Sequence, residues 1–203
     1  MWAGIGDTYA KYYEAMISSR GERLEHFTAL GVAVSVMCRN PLIDYGRQAF
    51  EDHKKGLCTY DVEQVVLAIV VTTGIASIFL TKDYTPDYNS GLAHAVFYAM
   101  TSYPVIEERH LHGEVVGFGV LLALLVDHQY EEFEKIYKLN RAIGLPVSLE
   151  QIEITESQWQ ECMERIPEMS DIAHYPYRVT KAMLEEAMHQ LKERVRNEGH
   201  EEN

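Results

Sequence analysis

Two of the nine histidines in this sequence lie where an imidazole could do chemistry. His94 lies in a stretch of small and apolar residues, 91–97 (GLAHAVF), where a helix would bury the ring. A buried polar group without a partner costs about 1–3 kcal/mol. His112 precedes a very apolar stretch, where a helix N-terminus presents free backbone N–H groups. These settings make the pair candidates for a metal-binding or catalytic role, although by themselves they are more often typical of a hydrogen-bonded structural histidine.

Asp7 is a third candidate because it follows Gly4 and Gly6 at the start of a helical pattern. By itself this arrangement is typical of a helix N-cap. Two imidazoles and one carboxylate together, however, are a sufficient ligand set for a catalytic divalent metal, which keeps three protein ligands and an open position. The prediction therefore requires the fold to bring together three residues that are far apart along the chain.

Other histidines lie in settings that predict ordinary roles. His26, His53 and His128 lie among charged or polar neighbours and are predicted to be surface residues. His110, two residues before His112, is interpreted as a surface residue or as a residue that supports a ligand.

The charge and cysteine content exclude several classes of partner. Eighteen Lys and Arg against 31 Asp and Glu give a formal net charge of −13, which repels nucleic acids and anionic membrane surfaces. Cys38, Cys58 and Cys162 have no CxxC spacing and indicate reduced thiols. Because no targeting segment is visible, the sequence predicts a cytoplasmic protein that binds neither nucleic acid nor membrane.

Two apolar stretches, residues 65–80 and 115–126, are shorter than the roughly 20 residues that span a bilayer. Both are therefore predicted to be buried helices. The helix predicted over residues 62–80, which contains the first of them, is apolar on almost every side, and this predicts that it is the central helix of the domain.

Helical periodicity dominates the chain, and no alternating strand pattern is convincing. The predicted fold class is therefore all-α, a multi-helix bundle. Asp61 with Gln64, and Thr155 with Gln158, are predicted N-terminal capping pairs. Segments 82–91 and 104–111 are predicted to be irregular. The predicted helices cover residues 7–19, 22–38, 43–55, 62–80, 91–101, 113–127, 130–143, 155–165 and the residues from 180 onward.

The length suits one domain, predicted over residues 1–196, followed by a polar tail at 197–203 that is predicted to fray. A dinucleotide-binding unit needs strands alternating with helices and a glycine-rich turn. The nearest approaches, residues 4–6 (GIG) and 117–119 (GFG), lack a third glycine and follow no predicted strand. No nucleotide-binding domain is predicted in this chain.

Three motifs in order, residues 3–7 (AGIGD), 91–95 (GLAHA) and 112–119 (HGEVVGFG), resemble the helical domain of glycerol dehydrogenases in the iron-containing alcohol dehydrogenase superfamily. Segments 144–146 (GLP) and 175–180 (YPYRVT) are also similar, so the resemblance covers nearly the whole chain. It implies the C-terminal domain of the dehydroquinate synthase-like fold, without the Rossmann-like N-terminal domain.

The resemblance implies that Asp7, His94 and His112 bind a divalent metal that polarises the hydroxyl of a small alcohol or polyol for hydride transfer to NAD. NAD would bind to the missing N-terminal domain, supplied on the same or on a separate chain. The isolated chain is therefore expected to be inactive. Its surface toward that domain makes a homo-oligomer the expected state.

Three features bear on the details of the implied site. Lys11 lies where the iron-dependent branch of the superfamily has a histidine, which favours a three-ligand zinc site over an iron site. Residues 97–100 (FYAM) are less polar than the matching stretch in glycerol dehydrogenases, which favours a substrate less polar than glycerol. Glu114 could orient His112 or simply favour a helix N-terminus.

Two other functions stay open at this stage. A non-catalytic helical remnant could use its apolar surface as an interaction or oligomerisation module. An unrelated helical metallohydrolase would be built on a His-Asp doublet, and the sequence contains no such doublet.

Overall fold

The computed structural model describes residues 1–82 and 88–201, and this part of the chain forms helices and no β-strand. The predicted all-α class is therefore confirmed. A π-helical turn, Ala68–Thr72, joins the helix Tyr60–Leu67 to the helix Thr73–Leu80. The α-helices in the described residues are α1 (Trp2–Ser18), α2 (His26–Ser35), α3 (Asn40–Lys54), α4 (Tyr60–Leu67), α5 (Thr73–Leu80), α6 (Leu92–Met100), α7 (Pro104–Arg109), α8 (His112–Val126), α9 (Tyr130–Ile143), α10 (Glu156–Arg165) and α11 (Lys181–Glu201).

Several predicted boundaries agree with the structure. Helix α9 has the predicted bounds, and α6 and α8 differ from prediction by one residue at each end. Thr155 and Gln158 form the predicted capping box, because each side chain accepts a hydrogen bond from the backbone N–H of the other residue. Helix α11 continues into the predicted tail as far as Glu201. Of the predicted loop over 82–91, residues 83–87 lie outside the described residues, and the rest is non-helical.

Three local predictions are wrong. Residues predicted to be irregular form α7, since Pro104 is pre-organised for the first helical turn. Thr59, rather than Asp61, caps α4 with its side-chain hydroxyl. The N-cap interpretation of Asp7 fails because α1 already begins at Trp2, which places Asp7 in the second helical turn.

The central helix of the domain is α8 and not, as predicted, the segment 62–80. Every residue of α8 from Gly113 to Val126 is buried, because α1, α6, α9 and α11 pack around it. The segment 62–80 lies at the edge of the domain, mainly against α2 and α3. Its outward side chains stay exposed and form what we call the apolar face: Val66, Leu67, Val70, Val71, Ile75 and Ile78.

The helical run Tyr60–Leu80 has 21 residues and is long and apolar enough to cross a membrane, by length and composition only. The prediction that this stretch is too short to span a bilayer is therefore wrong for the whole run. One such helix is by itself weak evidence for a membrane protein.

Helices α1 and α8 approach each other so closely that only glycine fits between them. A Cβ atom on Gly6 would lie 2.1 Å from the carbonyl oxygen of Gly113, and one on Gly113 would lie 2.0 Å from the carbonyl oxygen of Ala3. A Cβ atom on Gly117, one turn further along α8, would lie 2.7 Å from the hydroxyl oxygen of Tyr9. The glycines thus fix the first turns of α1 beside the start of α8.

We expect Gly6→Ala to lower the free energy of unfolding by about 3 kcal/mol, because overpacking would push two backbones apart. Gly74→Ala is the matched control, since a Cβ atom there meets nothing within 4 Å and alanine stabilises a helix interior by about 0.5–1 kcal/mol relative to glycine. Chemical denaturation measures both variants. Equal stability of Gly6→Ala and the parent chain would contradict the close contact.

Candidate metal site

Three helices bring the sequence-predicted candidates to one place. Asp7 lies in the second turn of α1, His94 in the first turn of α6, and His112 is the first residue of α8. Helices α1 and α6 both pack on α8. The contact of Gly6 with Gly113 holds the Asp7 side chain next to His112, so residues separated by about half the chain become neighbours.

The spacing of the three side chains suits a metal ion. Asp7 Oδ1 lies 3.5 Å from Nε2 of His94 and 3.5 Å from Nε2 of His112. One ligand atom from each residue lies within 4.8 Å of the other two. Ligand atoms bound to a tetrahedral zinc ion are themselves about 3.4 Å apart. An ion could therefore contact all three atoms after small movements.

Asp7 supplies the observation that most favours a cation here. Its Oδ1 atom is buried and makes no hydrogen bond of normal geometry, whereas buried carboxylate oxygens are almost always paired. The unpaired oxygen faces the two imidazole nitrogens of His94 and His112. Because two imidazoles and one carboxylate are donors that zinc accepts, the residues present fit a divalent metal with an open fourth position.

Glu14 is a residue of the site that sequence reasoning missed. Its carboxylate is 1% exposed and lies behind His94, on the side away from Asp7. Oε1 accepts from the His94 backbone N–H at 3.0 Å, and Oε2 pairs with His94 Nδ1 at 2.6 Å. The signal was present in the sequence, because Glu14 follows Asp7 by seven residues, which places both on one face of α1.

Opposite charges around His94 and Asp7 shift the pKa of each group more than burial does. Burial lowers the pKa of His94, but Glu14 and Asp7 favour the charged ring and raise the pKa to about 9. Burial raises the pKa of Asp7, but His112, His94 and Lys11 hold that pKa far below its usual value. The metal-free site thus holds a proton on His94 at neutral pH, and a metal would displace it from Nε2.

Lys11 occupies the helical position where a fourth ligand would lie. Its side chain is buried beside the site, and Nζ donates a hydrogen bond to the backbone oxygen of Asn89 at 3.1 Å. Lys11 also lowers the pKa of Asp7 by its charge. An ammonium group held in this way offers no lone pair, so the protein supplies three ligand atoms and not four.

Aromatic side chains line the open side of the site. The ring of Phe97 packs edge-on against His112, with ring centroids 4.4 Å apart. Tyr98 lies near His94, with ring centroids 6.2 Å apart, and is largely exposed. His112 is 43% exposed, so a small molecule could approach the ligand atoms from this side past an apolar wall.

His110 and Glu114 interact with each other rather than with the candidate ligands. His110 Nδ1 lies 3.0 Å from Glu114 Oε1, and its side chain is only 7% exposed, so its interpretation as a surface residue is wrong. Glu114 Oε2 accepts from the Leu111 backbone N–H at 3.1 Å. Glu114 therefore favours the N-terminus of α8, and no contact with His112 is formed. The predicted surface histidines are exposed: His26, His53 and His128.

Comparisons with known proteins agree with this fold. No protein-family model matches the chain. Glycerol dehydrogenase of Escherichia coli is 31% identical over 162 residues, which cover 76% of this chain and 41% of the relative. Hydroxycarboxylate dehydrogenase A of Escherichia coli is 30% identical over 75% of this chain and 41% of the relative. The structure of a probable glycerol dehydrogenase from Sinorhizobium meliloti shares the fold, with a TM-score of 0.80 at 24% identity over 97% of this chain and 55% of that one.

The helical fold and the relatives together define a domain of dehydrogenase type. The chain belongs to the glycerol dehydrogenase family and corresponds to the helical C-terminal part of its members. The resemblance drawn from the three sequence motifs is therefore confirmed. The chain spans about two-fifths of the length of the curated relatives it matches, 41% for the Escherichia coli enzyme.

We expect the pKa of the His94 ring in the metal-free protein to be about 9, well above the ordinary histidine value of about 6.5. Since the folded-state pKa is raised, the charged ring stabilises the folded state fully below about pH 6.5, and this stabilisation is lost as the pH rises through about 9. Ring chemical shifts in a pH titration by NMR measure this pKa. Titration of His94 at or below the ordinary value would contradict the described contacts.

Proposed function

We propose that this chain is the metal-binding part of an NAD-dependent alcohol or polyol dehydrogenase. The unpaired Oδ1 of Asp7, which faces His94 Nε2 and His112 Nε2, carries the proposal. Family membership supports it, since the relatives named above are dehydrogenases. The proposed ligands are thus Asp7, His94 and His112, and zinc suits this three-ligand set better than iron because Lys11 supplies no fourth donor.

A metal bound to these ligands would polarise the hydroxyl of the substrate and stabilise the alkoxide that gives up hydride. The residues of the chain position and shield that substrate. Phe97 and Tyr98 form an apolar wall beside the ligands, which favours the carbon chain of an alcohol and keeps water away from it. We therefore propose a small alcohol or a diol that is less polar than glycerol.

The hydride acceptor must come from outside the described helices. The sequence contains no glycine-rich dinucleotide motif, and the curated relatives are more than twice as long as the matched region. We propose that a nucleotide-binding part, in the same polypeptide or on a separate chain, supplies NAD. Without it, the described helices are inactive.

The apolar face is the proposed docking surface for that nucleotide-binding part. It is uncharged from residue 65 to residue 80, and two of its residues, Val70 and Ile78, are 67% and 73% exposed. The same helical segment contacts α1, the helix that carries Asp7, since Ile69 packs on Gly4 and Thr73 donates a hydrogen bond to Thr8. The proposed docking surface and Asp7 thus lie on helical segments that contact each other directly.

A second candidate is a non-catalytic module that uses the same apolar face to bind a second copy of the chain. The exposed face favours it, because monomeric proteins rarely expose large apolar patches. The formal charge of −13 opposes binding to nucleic acid in either case. We place both candidates in the cytoplasm, where the unpaired cysteines stay reduced.

We expect the chelator-treated chain to bind one equivalent of zinc, as measured by isothermal titration calorimetry. A His94→Ala, His112→Ala double variant should bind none, because only one of three ligands remains. A His26→Ala, His53→Ala double variant is the matched control and should bind as the parent does, since both residues are exposed and neither belongs to the cluster of Asp7, His94 and His112. Absence of binding by the parent, or equal binding by both variants, would contradict the proposed ligands.

Joining the nucleotide-binding part of the Escherichia coli relative ahead of residue 1 should create zinc-dependent formation of NADH from small alcohols. Val70→Glu in this chimera should weaken turnover at least tenfold, since a buried unpaired charge costs several kcal/mol. Tyr130→Glu, at a half-exposed position on α9, is the control. A folded chimera that binds zinc and NAD but oxidises no alcohol would refute the dehydrogenase proposal and favour the interaction module.

A further inference from the structure

We propose that Glu14 is a positioning residue that fixes the tautomer and orientation of His94 for metal binding. This inference rests on the proposed function of the site. Glu14 touches neither Asp7 nor His112, and it makes both of its hydrogen bonds to His94. Its role would therefore be exerted entirely through one of the three ligands.

The two hydrogen bonds hold His94 at both its backbone and its ring. Oε1 accepts from the backbone N–H at 3.0 Å, and Oε2 pairs with Nδ1 at 2.6 Å. The backbone N–H lies in the first turn of α6, where it has no partner within the helix. Because one rigid carboxylate accepts at both points, rotation of the His94 side chain would break the ring contact.

The chemistry of a carboxylate decides which ring nitrogen carries the proton. An ionised carboxylate only accepts hydrogen bonds, so Nδ1 of His94 must donate to Glu14. The other nitrogen, Nε2, then keeps its lone pair when the ring is neutral and directs it toward Asp7 Oδ1, 3.5 Å away. Carboxylates that hold a ligand histidine in this way also raise its basicity toward the metal.

The sequence around Glu14 is shaped for this contact. Glu14 follows Asp7 by seven residues, about two helical turns, so α1 supplies both a ligand and the support of a second ligand. Gly91 leaves the room that the carboxylate needs, because a Cβ atom on residue 91 would lie 3.0 Å from Glu14 Cγ. The carboxylate is 1% exposed, so water does not compete for His94.

The Glu14→Gln variant tests whether Glu14 positions His94 by its hydrogen bonds or only fills space in the core. Glutamine has nearly the same shape but carries one acceptor and one donor group. It cannot accept from both the His94 backbone and Nδ1–H with separate oxygens, and its amide group favours the wrong tautomer. We expect zinc affinity to fall about 10- to 100-fold in calorimetric titration.

Tyr175→Phe is the matched control for this experiment. Tyr175 is buried, and its hydroxyl accepts from the Leu92 backbone N–H at 3.3 Å, also in the first turn of α6. The control therefore loses a hydrogen bond at the same helix end without touching the His94 ring. We expect it to keep the parent affinity for zinc, even if its thermal stability falls.

Nitrogen-15 NMR of the His94 ring provides a second readout, and its result for the parent chain does not depend on the folding of any variant. In the zinc-loaded parent chain, the His94 proton should be on Nδ1, and in Glu14→Gln the His94 ring that is not bound to zinc should show exchange or the opposite tautomer. A proton on Nε2 in the parent, or Glu14→Gln with the zinc affinity of Tyr175→Phe, would overturn the role of Glu14. A parent chain that binds no zinc would instead refute the metal site itself, and this inference with it.

Discussion

The close contact of α1 with α8 is the constraint on which the rest of the site depends. Gly6 and Gly113 allow the two backbones to touch, which places Asp7 beside His112 at the start of α8. Helix α6 packs on another part of α8 through Gly119, where a Cβ atom would lie 2.5 Å from the carbonyl oxygen of Ala93. The buried helix α8, which carries His112, thus positions both α1 with Asp7 and α6 with His94.

Sequence patterns predicted the helices well where the pattern and the tertiary packing agree. Helix α8 is apolar on all sides and is buried on all sides. The mostly apolar run Tyr60–Leu80 contains the segment that was predicted to be central for the same reason, but it lies at an edge of the domain. An apolar sequence indicates that a helix surface is covered, but it does not indicate which element covers it. Motif order identified the three candidate ligands. Glu14 was missed because its spacing from Asp7 places it on the same face of α1 but does not link it to His94, which is 80 residues away.

The proposed function gives the exposed apolar face and the candidate metal site one explanation in common. It requires a nicotinamide from outside the described helices, whose sequence has no dinucleotide motif. The uncharged segment from Val65 to Leu80 contacts α1 through Ile69 and Thr73, so the proposed docking surface and one candidate ligand lie on neighbouring helices. The chain length relative to its curated relatives agrees with this account.

The central claim is that Asp7, His94 and His112 bind one divalent metal, and anomalous X-ray diffraction at the zinc edge tests it most directly. Crystals of the zinc-loaded chain should show a single strong anomalous peak about 2.0–2.2 Å from Asp7 Oδ1 and from Nε2 of both histidines. His94 should keep Nδ1 against Glu14 in that structure. A peak at other residues, or none between these three in zinc-saturated crystals, would contradict the account.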